Sequence, residues 1–513
     1  MLASRHHRTY SWSIPQIKDY ITNQERYHVI IIGAGIGGLS AAALLAKRGY
    51  KVLLLESHHQ AGGNCTSWTR TIKANGDKKT FVFDAGVQDI SGLGTRGPLK
   101  NLLNQLNATD EIEWRRVRHA YWREGLFLDG DASPNKFIGN ICQLFPAESD
   151  ALIKFFAEME SIYREMYADV DKTGGIPIAP IIGDEILSWP ERHPHASHWM
   201  KTLFNKMLDA YFKDDNLKKL LSTLSEYITD TPQNLLVEDM APLFGYYFDG
   251  GYYPIGGAQC LANLLAKKII ENGGDIRLNT KAEKILLEDG RVTGVLSSEG
   301  TSYFAPLVIS NGDVVSTLLE LVGKEHLPSH YAQKIINLNR GPSAILLSLG
   351  LTKTLPLPAR VFIHQNHLEF GIGNPSVIDS SLAPLGHSAV TILCLLSESA
   401  SKDWHNCGEA YTQQKEAFAE KLLCAVEDSV IPDIRQHIVY KEMATPKTFL
   451  SFTKAKNGNI YGAARNAWRP ELKSPISGLI LVGAGTKTGA GIEAVVVSGT
   501  HAADLISQGQ LNK

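Results

Sequence analysis

Apolar and polar positions change period several times along the chain, and each change marks an element. Val29, Ile30, Ile31 and Ile32 form an unbroken β-branched run without alternation, the pattern of a strand covered on both faces. The run leads directly into Gly33-Ala34-Gly35-Ile36-Gly37-Gly38. Residues 39–47 then read as an Ala- and Leu-rich helix, Gly49 stops it, and residues 52–55 give a second buried strand ending on Glu56. The unit is strand, helix, strand.

Further on the period lengthens to that of a helix. Residues 145–170 carry apolar side chains at Leu152, Phe155, Phe156, Met159, Ile162, Tyr163, Met166 and Tyr167. Leu217, Leu220, Leu221 and Leu224 repeat the spacing. Such stripes are read as plain core or as the wall of a substrate channel. The aromatic-rich segment between them, with Trp189, Trp199, Phe204, Met207, Tyr211 and Phe212, reads as a buried helix or as a face lying at a membrane interface.

A strand–helix rhythm then resumes. Residues 259–272 form a helix closed by Gly273-Gly274, residues 275–278 begin a strand, and two runs at 282–286 and 291–295 flank the hairpin signal Asp289-Gly290. Residues 306–312 read as a strand ending at Ser310-Asn311. Strands at 343–351, 360–364 and 389–396 and a helix at 409–427 predict an antiparallel sheet with helices on one side. Finally GLILVGAGT, residues 478–486, sets a buried strand against glycines and a helix start once more, and the helix runs to about residue 506.

At 513 residues the chain is long enough for two domains. Lys plus Arg at 51 against Asp plus Glu at 53 leaves a formal charge of −2, which offers no electrostatic case for nucleic acid. The six cysteines show neither CxxC pairing nor metal spacing and read as thiols of a reducing compartment. Residues 1–27 contain no apolar stretch of signal-peptide length and read as an extension, and no segment reaches a spanning length. A cytoplasmic protein without a bound metal is expected.

The glycines carry the chemistry. Gly33 allows the tight turn, Gly35 lets the backbone approach a pyrophosphate, and Gly38 brings helix and strand into contact. The helix N-terminus faces the phosphates with unpaired N–H groups, and Glu56 is placed to accept hydrogen bonds from a ribose. This much predicts a dinucleotide without choosing between nicotinamide and flavin. Five residues beyond Glu56, Gly62-Gly63 permits a second close approach of backbone to a long, folded dinucleotide.

From Glu56 to Gly63 the chain resembles the flavoprotein superfamily that contains amine oxidases and carotenoid desaturases, whose E-x5-GG element contacts FAD. Asn64 stands where amine oxidases usually carry arginine. Phe83-Asp84-Ala85-Gly86 resembles their FDxG element, and Tyr253-Pro254-Ile255-Gly256-Gly257 with the following helix, strand and hairpin resembles carotenoid desaturases and isomerases. There the residue matching Ala282 touches the adenine through its backbone. Residues 478–492 resemble the C-terminal FAD motif of phytoene-desaturase-type enzymes, which implies contacts from Gly485, Thr486, Gly491 and Ile492. Glu493 replaces a proline common at that place, or is simply an acid in a first helical turn favoured by the dipole.

The resemblance implies an FAD-dependent carotenoid desaturase/isomerase or retinol saturase-type enzyme of the amine oxidase-like superfamily. Its implied fold is α/β: a discontinuous Rossmann-like FAD-binding domain of the GR2 type, with a second α+β substrate domain built on an antiparallel sheet. The corresponding boundaries are 28–100, 250–312 and 475–508 for the first and 101–249 and 313–474 for the second. The implied chemistry is hydride transfer between a C–H bond of an apolar polyene or isoprenoid and flavin N5, with peripheral membrane contact. Alternatives are a carotene isomerase or retinol-saturase-like reductase, a flavin amine oxidase, and a non-enzymatic prenyl or lipid carrier. No Ser/His/Asp set or carboxylate pair stands out, so no catalytic residue is assigned. His364 and His387 are read as structural, and Lys487 as a solvated turn lysine or a neighbour of the flavin.

Overall fold

The computed structural model describes residues 26–74, 77–130, 133–168, 185–229, 232–406, 408–465 and 467–510. Strand β1 (Val29–Ile32) is buried along its length and feeds helix α1 (Ile36–Lys47), which returns to the equally buried β2 (Val52–Leu55). A hairpin follows, β3 (Ser67–Ala74) against β4 (Asp77–Asp84). The chain then leaves for β5 (His119–Arg123), β6 (Leu126–Asp129) and a helical lobe containing α2 (Ser149–Met166) and α3 (Val237–Phe248). It returns through α4 (Gln259–Glu271), β7 (Asp275–Arg277), β8 (Ala282–Glu288), β9 (Arg291–Ser297), β10 (Ser302–Phe304) and β11 (Val308–Ser310). A second departure makes β12 (Ser343–Leu351), β13 (Arg360–Gln365), β14 (Leu368–Gly373), β15 (Ser388–Leu396), α5 (Tyr411–Glu427) and β16 (Ile438–Ala444). Strand β17 (Leu479–Leu481) and helix α6 (Ile492–Ser507) bring it back.

The five-stranded sheet runs in the order β17-β11-β1-β2-β7 with every pair parallel. Alternate residues of these strands enter two different cores. Val29, Ile31, Val52, Leu54, Ile309 and Ile480 face α1, α4 and α6. Ile30, Ile32, Leu53, Leu55, Val308 and Leu479 face the three-stranded sheet β8-β9-β10 and the helices after β11. Burial on both sides is why these strands read as continuous apolar runs. Every residue of α1 from Ile36 to Ala46 is buried, since α4 and α6 both pack against it.

The larger sheet has seven strands in the order β16-β12-β15-β14-β13-β5-β6. Five of its six strand pairs are antiparallel, as expected, and one is not. Strand β5 pairs parallel with β13, Tyr121 opposite Phe362, because it arrives from the first excursion and runs the same way as β13. The helical stripe at α2 is core: Leu152, Phe155, Phe156, Met159 and Ile162 pack with Phe204, Met207, Phe212 and Phe244. Of the two readings of the aromatic segment, the buried one is observed. Trp189, Phe204, Met207 and Phe212 lie inside, where each large side chain contributes about 1.5–3 kcal/mol by leaving water. Among the described residues no helix is long and apolar enough to cross a membrane.

Candidate functional site

A cavity of about 1320 Å³ opens at the carboxyl ends of the parallel strands and continues between the larger sheet and the helical lobe. Crevices beyond strand carboxyl ends are where doubly wound sheets bind ligands. Gly33, Gly35 and Gly37 after β1, Glu56 after β2, Asn311 and Gly312 after β11, and Gly483 and Gly485 after β17 all line it.

One side chain dictates most of these glycines. A Cβ on Gly35 would stand 2.5 Å from Asn311 Nδ2, and one on Gly37 or Gly483 would stand 2.7 Å from Asn311 Oδ1. The asparagine amide fills the space where three segments meet, so no side chain fits there. Gly33 takes the turn at φ +91, and a Cβ on Gly38 would lie 2.3 Å from its carbonyl oxygen, which is how closely α1 rests on the turn. The second glycine pair joins the same surface, as Gly62 N–H donates to Ala34 O at 2.7 Å and Gly63 packs on Gly35.

Glu56 holds the rim of the turn: Oε2 accepts from Ala34 N–H at 2.7 Å and Oε1 from His58 N–H at 2.8 Å. Ile36, Gly62, Gly63, Asn64, Ala282, Gly491 and Ile492 also face the cavity. Three residues singled out from the sequence stand behind its wall instead. Ala34 and Gly38 lie within the turn, and Thr486 is fully buried with Oγ1 donating to Gly483 O at 2.8 Å, which braces the second glycine turn. Lys487 lines the cavity while its Nζ pairs with Glu471 at 2.7 Å.

Behind the cradle, Asp84 ties the FDAG and YPIGG segments together. It accepts from Ser67 Oγ at 2.5 Å, Tyr253 Oη at 2.5 Å and Ala258 N–H at 3.0 Å, at the start of α4. Burial pushes its carboxyl above the usual range against these three donors.

The opposite wall has two characters. Met166, Met200, Leu224, Ile228, Leu243 and Phe362 make it apolar. Polar groups are set into it: His119 Nε2 lies 2.5 Å from Asp89 Oδ2, and Glu493 accepts from Ser91 Oγ at 2.6 Å and from the Tyr167 hydroxyl. Burial raises the Glu493 carboxyl above its ordinary range, opposed by the two hydroxyl donors and reinforced by Asp249. Burial, with Glu493 next to it, holds the Tyr167 phenol well above its ordinary value. Sequence reasoning missed Asp89, Ser91 and His119, which no local motif marks, and met Tyr167 only as the end of the apolar helical stripe.

These residues fit a dinucleotide. Helix α1 has no acid in its first turn and opens on a surface of bare backbone, ready for pyrophosphate. Asn64 Oδ1 is a buried acceptor with no hydrogen-bond partner at the cavity wall, which a ligand donor would satisfy. Helix α6 begins after Gly491, at φ +99, where a Cβ would meet open space. Among the described residues no group of three or more His, Cys, Asp or Glu side chains could hold a metal ion.

Known proteins place the same arrangement in a wider group. The sequence profile of flavin containing amine oxidoreductases matches residues 36–507. Prolycopene isomerase 1 of an Oncidium hybrid cultivar is 27% identical, covering 95% of this chain and 85% of its own. The 4,4'-diapophytoene desaturase (4,4'-diapolycopene-forming) of Methylomonas sp is 26% identical, covering 94% of this chain and 95% of its own. Among solved structures, an oxidoreductase from Methanosarcina mazei superimposes with a TM-score of 0.63 at 20% identity, covering 92% of this chain and 98% of that one.

Proposed function

The chain belongs to the family of flavin containing amine oxidoreductases, and we propose that within it this enzyme acts on an apolar polyene of carotenoid type, in the manner of a desaturase. It is an FAD-dependent oxidoreductase. The observation that carries the substrate reading is the continuity of one cavity from the glycine cradle to a wall of Met166, Met200, Leu224, Ile228, Leu243 and Phe362. A long hydrocarbon gains from such a wall what it loses in water. Similarity over nearly the whole chain to a desaturase and an isomerase of carotenes supports the same substrate class.

In this reading Gly33, Gly35, Gly37 and the start of α1 take the pyrophosphate, Glu56 a ribose, and the backbone of Ala282 the adenine. Gly62, Gly63 and Asn64 close over the dinucleotide, and Gly485, Gly491 and Ile492 reach the flavin ring. The dinucleotide-binding domain then comprises residues 28–100, 250–312 and 475–508, and the intervening segments bind substrate. Bound FAD supplies hydride acceptance and return. The protein's own part is to orient the hydrocarbon, to keep water from the reacting carbons with its apolar wall, and to stabilise negative charge at the start of α6. Peripheral contact with a lipid surface follows from where such substrates dissolve.

A second reading, isomerisation without net redox change, is favoured by the likeness to prolycopene isomerase. Anaerobic mixing of the FAD-loaded enzyme with carotenes in detergent tests both. Bleaching of the flavin with gain of a double bond is the expected desaturase result, and a change of double-bond geometry with the flavin spectrum restored marks the isomerase. Hydrogen peroxide release from amines with no effect on any polyene would sink the substrate reading.

A further inference from the structure

Glu493 stands in the first turn of α6, two residues beyond Gly491, and lines the cavity. A carboxylate in a first helical turn usually projects into water, its charge favoured by the dipole. This one points inward. Ser91 Oγ donates to Oε2 at 2.6 Å, the Tyr167 hydroxyl donates to Oε1, and a Cβ on Gly92 would lie 3.1 Å from its Cγ, so the loop before residue 98 closes over it.

The groups facing it come from three directions. Helix α2 and the residue after it contribute Tyr163, Arg164 and Tyr167, α3 and its end contribute Tyr246 and Asp249, and the loop contributes Ser91. The cation in this set is committed elsewhere, as Arg164 Nη1 pairs with Asp249 Oδ1 at 2.7 Å and Nη2 with Glu160. Tyr163 Oη also donates to Asp249, at 2.9 Å. Among the described residues no lysine, arginine or histidine forms an ion pair with Glu493. A carboxyl without a cation, held by two hydroxyls on a cavity wall, is built to change its protonation.

Resting on the polyene oxidoreductase reading above, we infer that Glu493 exchanges the proton that accompanies hydride transfer in this cavity. An apolar polyene brings no acid or base, so the protein must. In the oxidative direction one C–H bond breaks with its electron pair leaving as hydride to oxidised flavin. The adjacent C–H bond breaks, its electron pair closes the new C=C bond, and its proton goes to the Glu493 carboxylate. In the reductive direction the hydride returns from reduced flavin and the proton from the Glu493 carboxyl. Isomerisation uses the proton step alone, gained and lost at one carbon. Ser91 and Tyr167 serve both states, donating to the carboxylate and, when it is protonated, one of them accepting from it.

The test uses FAD-loaded wild type, Glu493→Gln, Ser91→Ala and Tyr167→Phe. Flavin absorbance verifies loading, and infrared difference spectra recorded through a pH titration follow the protonated carboxyl band without any substrate. A carboxyl titrating above the ordinary range in wild type and missing from E493Q is expected. Carotene turnover by E493Q is expected to fall about a hundredfold with loss of the matching inflection in its pH profile. Each of S91A and Y167F removes a donor to the charged form, so the inflection moves to higher pH. E493Q indistinguishable from wild type in rate and pH profile, or S91A and Y167F leaving the inflection in place, overturns the assignment alone. A loaded wild type inert to every polyene overturns the substrate reading, and the assignment with it.

Discussion

At the scale of the residue, Asn311 shows how one side chain constrains three others. Its flat amide occupies the space that side chains at positions 35, 37 and 483 would claim. Gly37→Ala places a methyl 2.7 Å from Asn311 Oδ1 and 3.2 Å from Val495 O, and both neighbours belong to packed elements. It is expected to cost about 1–3 kcal/mol and to yield protein without the yellow absorbance of FAD, seen by thermal melt and spectrum. Glu493 makes the opposite kind of prediction. Its folded-state pKa is raised, so the folded chain keeps a proton that the unfolded chain has already released as pH climbs past the ordinary carboxylate range. Stability therefore falls with rising pH through that window, by about 1.4 kcal/mol for each unit of upward displacement. Glutamine escapes the penalty, so the Tm of E493Q relative to wild type should rise from mildly acidic to mildly alkaline solution. A difference independent of pH would contradict this.

At the scale of the element, what was legible in the sequence was whatever is local. The β1–turn–α1–β2 unit announces itself because the apolar run, the glycine spacing and Glu56 all lie within some thirty residues. A dinucleotide was legible for the same reason, whereas FAD came from the resemblance of Glu56 to Gly63 to flavoproteins, and the family now establishes it. The neighbours of Glu493 were not, since Ser91 and Tyr167 lie 402 and 326 residues away along the chain. Nor was the parallel pairing of β5 with β13, because strand composition carries no record of a distant partner. Strand β3 escaped notice too, its alternation of polar and apolar residues being half exposed. Asp84 joins two such distant elements. Asp84→Ala leaves Tyr253 Oη and Ala258 N–H buried without their acceptor, a loss of about 2 kcal/mol or more by denaturant unfolding. Helix α6 meets α1 where Gly499 stands over Gly37 and Ser40, so the second glycine-rich segment is pressed against the first.

At the scale of the whole molecule, the cradle end of the cavity forms where widely separated stretches of chain converge. Its walls include the turn after β1, Asn311 after β11 and the glycines after β17. A ligand that touches all three binds the folded chain and not the unfolded one, so it adds stability by mass action. Free FAD at about a hundred times its dissociation constant is expected to add about 2.7 kcal/mol, read as a rise in the melting temperature of flavin-stripped protein. Failure of FAD to raise it would show that the three stretches do not share one ligand.

The order β17-β11-β1-β2-β7 has a further consequence, for the history of each molecule as it leaves the ribosome. Strand β11 is synthesised with β1 and β2 already available, yet its other edge pairs with Leu479–Leu481, roughly 170 residues later. Throughout that interval an apolar strand offers unpaired N–H and C=O groups to any passing chain. Parallel pairing over such separations is intrinsically slow, and incomplete sheets are the species that aggregate. Slower translation between β11 and β17, or added chaperone, is expected to raise the soluble yield while leaving the melting temperature of the finished protein unchanged.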